Sequence, residues 1–335
     1  MTVGGGKQLT EPAVVRPTSE TIINSALARW ISSYRDPPLK VNQWANVVRW
    51  EVRPRLFLRT SEFLWQEGHT AHATSEEAHA YALEILEHAY AATMEQDLAI
   101  PVWRGRKTDR EKFAGAVVSW SCEGLMRDGK ALQMGTSHEL GQNFAHAFDI
   151  AYTDERGELQ RPWQTSWGAS TRLLGATIMV HGDDQGLRLP PRVAPIQVVV
   201  LVARAGEGVV EYGTRLVEDL ARTGIRAELD AHTDVSVGRR IIDWEVRGVP
   251  VRVELGPRDI ASGKVPVALR ARGVKTPHAL DGLANAMAAI LATEQAELLR
   301  QATARCATGS SVASPRSRKP PSRRTTGPRA CPGPR

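Results

Sequence analysis

Cysteine is scarce in this sequence: Cys122, Cys306 and Cys331 are the only three among 335 residues. Three thiols exclude a disulfide scaffold, and their scatter gives no metal-ligand spacing. Long apolar runs are missing too. None approaches the roughly 18 residues of a membrane-spanning helix, so an integral membrane protein is excluded and no membrane partner is expected. The opening residues, with Gly4, Gly5, Gly6 and Lys7, lack the apolar stretch of a secretion signal. A reducing cytoplasm is the expected setting.

Acidic residues are absent from one region. Residues 301–335 hold eight Lys and Arg and no Asp or Glu, which leaves 35 basic against 37 acidic side chains in residues 1–300. The net charge of +6 therefore belongs to the tail. Any nucleic-acid surface on the folded part must come from local patches. The Pro, Ser, Thr and Arg of 301–335 cannot bury enough apolar surface to offset their ordering entropy, so a disordered basic tail is expected there.

Two folded zones precede the tail. In residues 1–192, Ile22, Ile23, Ala26, Leu27, Trp30, Ile31 and Tyr34 recur at helical spacing. Thr74 and Glu77 have capping-box spacing before a second long helix. Asn46–Trp50 and Leu56–Leu58 read as short strands joined by the loop Glu51–Arg55. Ala131–Gly135 and Gly175–His181 read as further strand or buried segments. Helices mixed with hairpins predict an α+β domain around an antiparallel sheet. Residues 195–300 alternate instead. Ile196–Ala203, Ile225–Leu229, Val249–Leu255 and Lys264–Leu269 read as strands, with helices over Val209–Leu220, Val237–Val246 and Leu280–Leu299. That order predicts a small α/β domain with a mostly parallel sheet.

The segment from Val48 to His69 is the richest in chemistry. Arginine occurs four times in eleven residues, at 49, 53, 55 and 59, with carboxylates interleaved. Arg49 and Arg59 flank a predicted turn and could present guanidinium groups to one phosphate or carboxylate. On spacing alone a solvated charged hairpin is the more usual reading. His69, His72 and His79 have no fourth ligand at matching spacing, so packed or surface histidines are expected rather than a metal site.

This segment resembles motif 2 of the class II aminoacyl-tRNA synthetases, and other blocks narrow the resemblance to the prolyl-tRNA synthetases. Arg16-Pro17-Thr18-Ser19-Glu20 resembles the family's proline-binding loop, and Gln133 to Phe144 resembles its ATP and proline block. Ser166 to Arg172, running into Val180 to Arg192, resembles motif 3. The resemblance implies a class II catalytic core followed by an α/β anticodon-binding domain. It further implies proline-tRNA ligase activity with proline, ATP, Mg²⁺ and tRNA(Pro). Thr18 and Glu20 would receive the proline ring nitrogen, and His138 would line that pocket. Arg49 would bridge the proline carboxylate and the ATP α-phosphate. Glu51 would meet the adenine end, and Arg59 and Thr60 would complete the nucleotide contacts. Gln133 and Thr136 would hold ATP, Gln133 close to the magnesium. Ser170 and Arg172 would hold the ribose and γ-phosphate. Arg239, Arg240, Arg258 and Lys264 could contact the anticodon stem.

Both ends depart from the family pattern. Thr18 stands 17 residues after Met1, which leaves no room for the family's motif 1 upstream. An N-terminal truncation is expected, with weakened pairing of the family's homodimer and an exposed apolar patch. From about Cys306 the composition changes abruptly, as in an out-of-frame stretch, so the family's C-terminal domain is expected to be replaced. Arg49 and Arg172 are 123 residues apart, too close for a bacterial-type editing insertion, so the core resembles the archaeal and eukaryotic-like enzymes. The alternative is a non-catalytic synthetase-like paralogue or fragment that binds proline, ATP or RNA.

Overall fold

The computed structural model describes residues 10–11 and 14–312, the side chains of 308–312 excepted. The Gly4–Gly6 run and the tail beyond residue 312 lie outside the described residues. Helix α1 (Glu20–Trp30) opens the first unit and buries Leu27 against Ile31, Ala71 and Ile150. Strands β1 (Leu39–Val48) and β2 (Glu62–His72) then form an antiparallel hairpin. The expected strand at Leu56–Leu58 is not one. Those residues form the tight end of the hairpin connection, where Phe57 takes φ 58° and the Leu58 amide returns to the Arg55 carbonyl at 3.1 Å. The second strand begins instead at Glu62, whose polar start concealed it.

Helix α2 (Ser75–Glu84) is capped as its spacing predicts, the Thr74 hydroxyl accepting from the Glu77 amide at 3.2 Å. It continues in wider π-helical turns over Ile85–Ala91 and Thr93–Asp97. Strands β3 (Val102–Arg106), β4 (Val118–Leu125) and β5 (Ala131–Gly141) follow, then α3 (Asn143–Ala147). The two-residue strands β6 (Tyr152–Thr153) and β7 (Leu159–Gln160) lead into β8 (Trp163–Ser170). The six-stranded sheet has the order β1-β2-β8-β5-β4-β3 and every pairing in it is antiparallel. Leu86, Tyr90 and Met94 cover one face together with Met134 and Trp167. The other face is covered only in part, by α1 and α3 around Ala71.

Gly175–His181, expected as strand or buried segment, belongs to helix α4 (Arg172–His181). Its Gly175, Ala176, Val180 and His181 side is buried while Leu174 and Ile178 stay exposed, and the missing side chain at Gly175 admits Leu58, whose Cδ2 would lie 2.7 Å from a Cβ there.

The second unit holds β9 (Val198–Val202), α5 (Val209–Arg222), β10 (Ala227–Asp230), α6 (Val237–Arg247) and β11 (Val251–Leu255). Then come α7 (Pro257–Ser262), β12 (Lys264–Leu269), β13 (Val274–Ala279) and α8 (Leu283–Val312). All five residues of β9 are buried, as a central strand covered on both faces requires. The sheet, ordered β10-β9-β11-β12-β13, is mixed rather than mostly parallel. The β10–β9 and β9–β11 pairs are parallel, while β11–β12 and β12–β13 are antiparallel. Strand β13 went unforeseen because it is polar and carries Pro277, which an edge strand tolerates.

Helix α8 crosses the expected tail boundary at residue 301. Ala302 is buried in the core of the first unit, and the Arg305 guanidinium donates to the Val180 carbonyl at 2.8 Å. The two units also meet where the Leu187 and Leu189 amides donate to the Val246 and Gly248 carbonyls, at 3.1 and 3.2 Å. Gly186, at φ 131°, passes so close that a Cβ would stand 2.4 Å from the Val246 Cα.

Candidate active site

The partly covered face of the six-stranded sheet carries a cavity of about 310 Å³. Alternation along β2 sends Phe63, Trp65 and Glu67 to it, and Ser166, Gly168 and Ser170 arrive from β8. On β5, Gln133, Thr136 and His138 line it. A strict period of two would put Gln133 and Thr136 on opposite faces. A bulge between Cys122 and Glu123 of β4 leaves Met134 unpaired, and Gln133 and Thr136 then share a side. Thr18, Glu20, Arg49 and Arg172 close the cavity from the segments around it.

One end is built from carboxylates. The Thr18 hydroxyl donates to Glu20, which is 7% exposed at the first turn of α1. Behind it, Glu67 accepts hydrogen bonds from the Ser19 hydroxyl and from Gln43 Nε2, the latter at 2.6 Å. Burial pushes the Glu67 carboxyl up, but the neighbouring His69, Ser19 and Gln43 outweigh it and hold the group below its usual range. Glu67 Oε2, both ring nitrogens of His69 and the Ser166 hydroxyl are buried without a hydrogen-bond partner. His69 and His72 are core residues, and among the described residues no three His, Cys, Asp or Glu side chains could hold a metal.

The other end is cationic. Arg49 Nε donates to the Pro17 carbonyl at 2.8 Å, and its guanidinium lies over the Phe63 and Trp65 rings at 5.4 and 5.3 Å. That stacking leaves its outer edge for an anion. Arg172 is tied to the Leu58 and Gln133 carbonyls at 3.1 and 3.2 Å. Burial, then Arg59 and Arg49, push its proton affinity down, so three guanidinium groups share one field. Such a cluster is costly until an anion enters. Lys107 adds a fourth cation and donates to Gln133 Oε1.

His138 lies in the wall. Burial and then the Lys107 ammonium push its imidazole down to about 4, so it is neutral at pH 7. The structure thus brings Thr18, Glu20, Arg49, Gln133, Thr136, His138, Ser170 and Arg172 to one cavity. Glu51, Arg59 and Thr60 do not line it; they sit on the β1–β2 connection. There Arg59 pairs with Glu51 at 3.7 Å, and the Thr60 hydroxyl donates to the Glu62 carbonyl at 2.7 Å. Sequence reasoning passed over Trp65 and Glu67, although their alternation with Phe63 was visible. It also passed over Lys107, Glu111 and Phe113, which reach the cavity from a loop without a recognisable pattern.

In the second unit Arg239, Arg258 and Lys264 are exposed, Arg239 beside Asp243 at 3.1 Å. Arg240 is a correction. It is 4% exposed, and its guanidinium donates to Asp230 Oδ1 at 3.0 Å and the Val202 carbonyl at 2.7 Å. Trp244 Nε1 completes the Asp230 carboxylate at 2.7 Å. This side chain braces the sheet and is not offered to RNA.

On the far side of the six-stranded sheet lies an apolar groove of about 820 Å³. Trp44, Leu64 and Leu174 border it, with 83%, 62% and 54% of their surfaces exposed. No described helix is long and apolar enough to cross a membrane.

Comparison with known proteins agrees with this geometry. Residues 7–181 match the tRNA synthetase class II core domain (G, H, P, S and T), and residues 197–290 match an anticodon binding domain. Proline–tRNA ligase 2 of Streptomyces avermitilis is 58% identical over 311 residues, which cover 93% of this chain and 66% of that protein. The proline–tRNA ligase of Frankia casuarinae is 56% identical over 304 residues, 91% of this chain and 65% of that protein. Prolyl-tRNA synthetase from Cryptosporidium parvum, crystallised with halofuginone and AMPPNP, superposes with a TM-score of 0.88 at 42% identity. That match covers 91% of this chain and 63% of that one. The complex of the same enzyme with L-proline and AMP gives 0.87 at 42% identity, over 90% of this chain and 63% of that one. The chain thus spans just under two thirds of the length of these relatives. Core, anticodon-binding unit and cavity together place the chain in the class II aminoacyl-tRNA synthetases, in the prolyl-tRNA synthetase family.

Proposed function

We propose that this cavity activates proline with ATP as prolyl-adenylate and passes the prolyl group to tRNA(Pro). The observation that carries the reading is the division of charge across one small cavity, with Glu20 and Glu67 at one end and Arg49 and Arg172 at the other. A zwitterionic amino acid fits that polarity. Its secondary ammonium meets Glu20, steadied by Thr18, while the carboxylate meets Arg49 and the ring lies among Trp65, Phe113 and His138.

A proline carboxylate oxygen attacks the α-phosphorus of ATP, the bond to the bridging oxygen breaks, and pyrophosphate leaves. Charge accumulates on phosphoryl oxygens, so positioned cations do the work and no proton transfer is needed. Arg49 faces the carboxylate and α-phosphate, Arg172 the γ-phosphate, and Thr136 and Ser170 the nucleotide. Glu51, Arg59 and Thr60 reach the adenine end from the hairpin. The donor set fits a magnesium ion that would arrive on the ATP phosphates rather than one caged by protein: the side chain that the resemblance assigns to it is a neutral amide, Gln133, whose oxygen already accepts from the Lys107 ammonium. When bound, that ion would neutralise phosphate charge.

The tRNA 3′-terminal hydroxyl then attacks the adenylate carbonyl and releases AMP. Arg239, Arg258 and Lys264 would meet the anticodon-arm phosphates as point charges. The resemblance also implies a homodimer working in the cytoplasm. Charging of tRNA(Pro) with labelled proline tests the whole reading. Label retained on tRNA only with ATP present supports it; binding of proline and AMPPNP by calorimetry without any charging would leave a ligand-binding protein instead.

A further inference from the structure

Ser119 has no counterpart among the residues assigned so far. It is fully buried on β4, and the sheet register sets it opposite His138. Its hydroxyl oxygen accepts from the Phe113 amide at 3.0 Å and lies 2.8 Å from His138 Nδ1. We propose that Ser119 is a positioning residue that holds His138 in its Nε2–H form, so that the imidazole offers a donor to the substrate carboxylate. The inference rests on the proline-activating reading above.

The donors and acceptors around the Ser119 hydroxyl fix the tautomer. A backbone amide can only donate, so Phe113 occupies a lone pair of the Ser119 oxygen. The serine's own proton still needs an acceptor, and among the described residues these two contacts are its only hydrogen-bond partners. If Nδ1 carried the ring proton, the buried hydroxyl would face two N–H groups and its own proton would have no acceptor. That arrangement carries the penalty of an unsatisfied buried donor. If the hydroxyl donates to Nδ1, every group is satisfied. A neutral imidazole then carries its proton on Nε2. This nitrogen has no hydrogen-bond partner among the described residues, and the ring lines the cavity. Apart from its ammonium, which only donates, the proline ring bears only C–H groups, so the acceptors the substrate brings are its carboxylate oxygens, and a donor at Nε2 complements them. The opposite form would offer a lone pair and compete with Glu20 for the ring ammonium.

The same oxygen also fixes the neighbouring part of the wall. Phe113 is anchored by the amide that Ser119 accepts, and its ring packs 5.3 Å from the imidazole and stacks on Phe144. One hydroxyl therefore sets the orientation of one pocket ring and the backbone of another.

The test reads the tautomer directly. In protein labelled with ¹⁵N-histidine, His138 is assigned by comparison with His138→Asn, and its two ring nitrogens are recorded at pH 7 without ligand. A protonated Nε2 and an acceptor Nδ1 are expected; a protonated Nδ1 overturns the proposal. In proline-driven pyrophosphate exchange, Ser119→Ala should raise KM for L-proline roughly fivefold to tenfold, the loss of about one hydrogen bond. KM for ATP should hold, and Ser119→Thr, which keeps the hydroxyl, should restore the value for proline. A folded Ser119→Ala protein with the parent's tautomer and KM would overturn the proposal. If that variant does not fold, the parent spectrum and Ser119→Thr decide. Absence of exchange in the parent would count against the activity reading, while the spectrum still decides the tautomer.

Discussion

A methyl group added at Gly168 would stand on the floor of the cavity. Gly168 pairs with Glu67 across β2–β8 and with Thr136 across β5–β8, so a side chain there shares their face. Its Cβ would lie 3.5 Å from Trp65 Cε3 and Cζ3 and 3.6 Å from the Gln66 carbonyl oxygen, which is ordinary contact. The backbone does not use the left-handed region at this position. Gly168→Ala should therefore fold normally and gain ~0.4–1 kcal/mol through a less free unfolded chain. The same atom intrudes on the ligand. Overfilling a packed space costs about 1–3 kcal/mol, which is roughly a fivefold to hundredfold rise in KM for proline. Gly68 is the control. It sits on the opposite face, where a Cβ would stand 2.0 Å from the buried Trp167 ring. Gly68→Ala should lose stability, by about 1–3 kcal/mol or more. Thermal melts and proline-dependent pyrophosphate exchange on both variants provide the assay. A Gly168→Ala protein that melts early with an unchanged KM, or a Gly68→Ala protein that melts with the parent, would refute the reasoning.

Arg49→Ala should lower exchange by roughly 10²–10³-fold, the usual loss of one transition-state donor, with little change in melting temperature; near-parent exchange would remove Arg49 from its role. Arg240→Ala should destabilise the second unit by about 3–5 kcal/mol, because it leaves the buried Asp230 carboxylate without its partner. Arg239→Ala, at an exposed pair, should change stability by less than ~0.5 kcal/mol, and chemical denaturation separates the two. Burial pushes His181 down to about 4, opposed by its hydrogen bond to the Leu98 carbonyl and helped by Arg305, Arg188 and Arg127. The unfolded chain takes up that proton first, so stability is full above about pH 6.5 and falls toward pH 4, by roughly 3 kcal/mol for this residue. His181→Gln should flatten that acid limb in denaturation curves measured across the range.

Much of the cavity could be read from the sequence because its chemistry is concentrated in short blocks. Thr18 and Glu20 sit two apart at a helix start, and His138 and Thr136 alternate on one strand. Legibility failed where tertiary context overrode local pattern. The apolar, β-branched run after Gly175 suggested a strand, yet its buried Ala176 and Val180 stand four apart, as on one face of a helix. The polar strand at Val274–Ala279 was invisible because an edge strand needs no continuous apolar face. Arg240 looked like its exposed neighbour Arg239, since sequence does not say which of two adjacent arginines turns inward toward Asp230. The bulge at Met134 cannot be read from alternation at all, and it is what sets Gln133 beside Thr136. The loop carrying Lys107 and Phe113 has no periodicity, and it is placed by single contacts such as the Phe113 amide on Ser119.

The central claim, that this cavity activates proline, is tested most directly by ATP–pyrophosphate exchange with proline, threonine, serine, glycine and histidine in parallel. The account predicts exchange driven by proline, exceeding each of the others by at least ~10-fold, the lower end of what a small apolar pocket discriminates. Exchange driven better by any of the other four amino acids, or by none of the five in a folded protein, would contradict it.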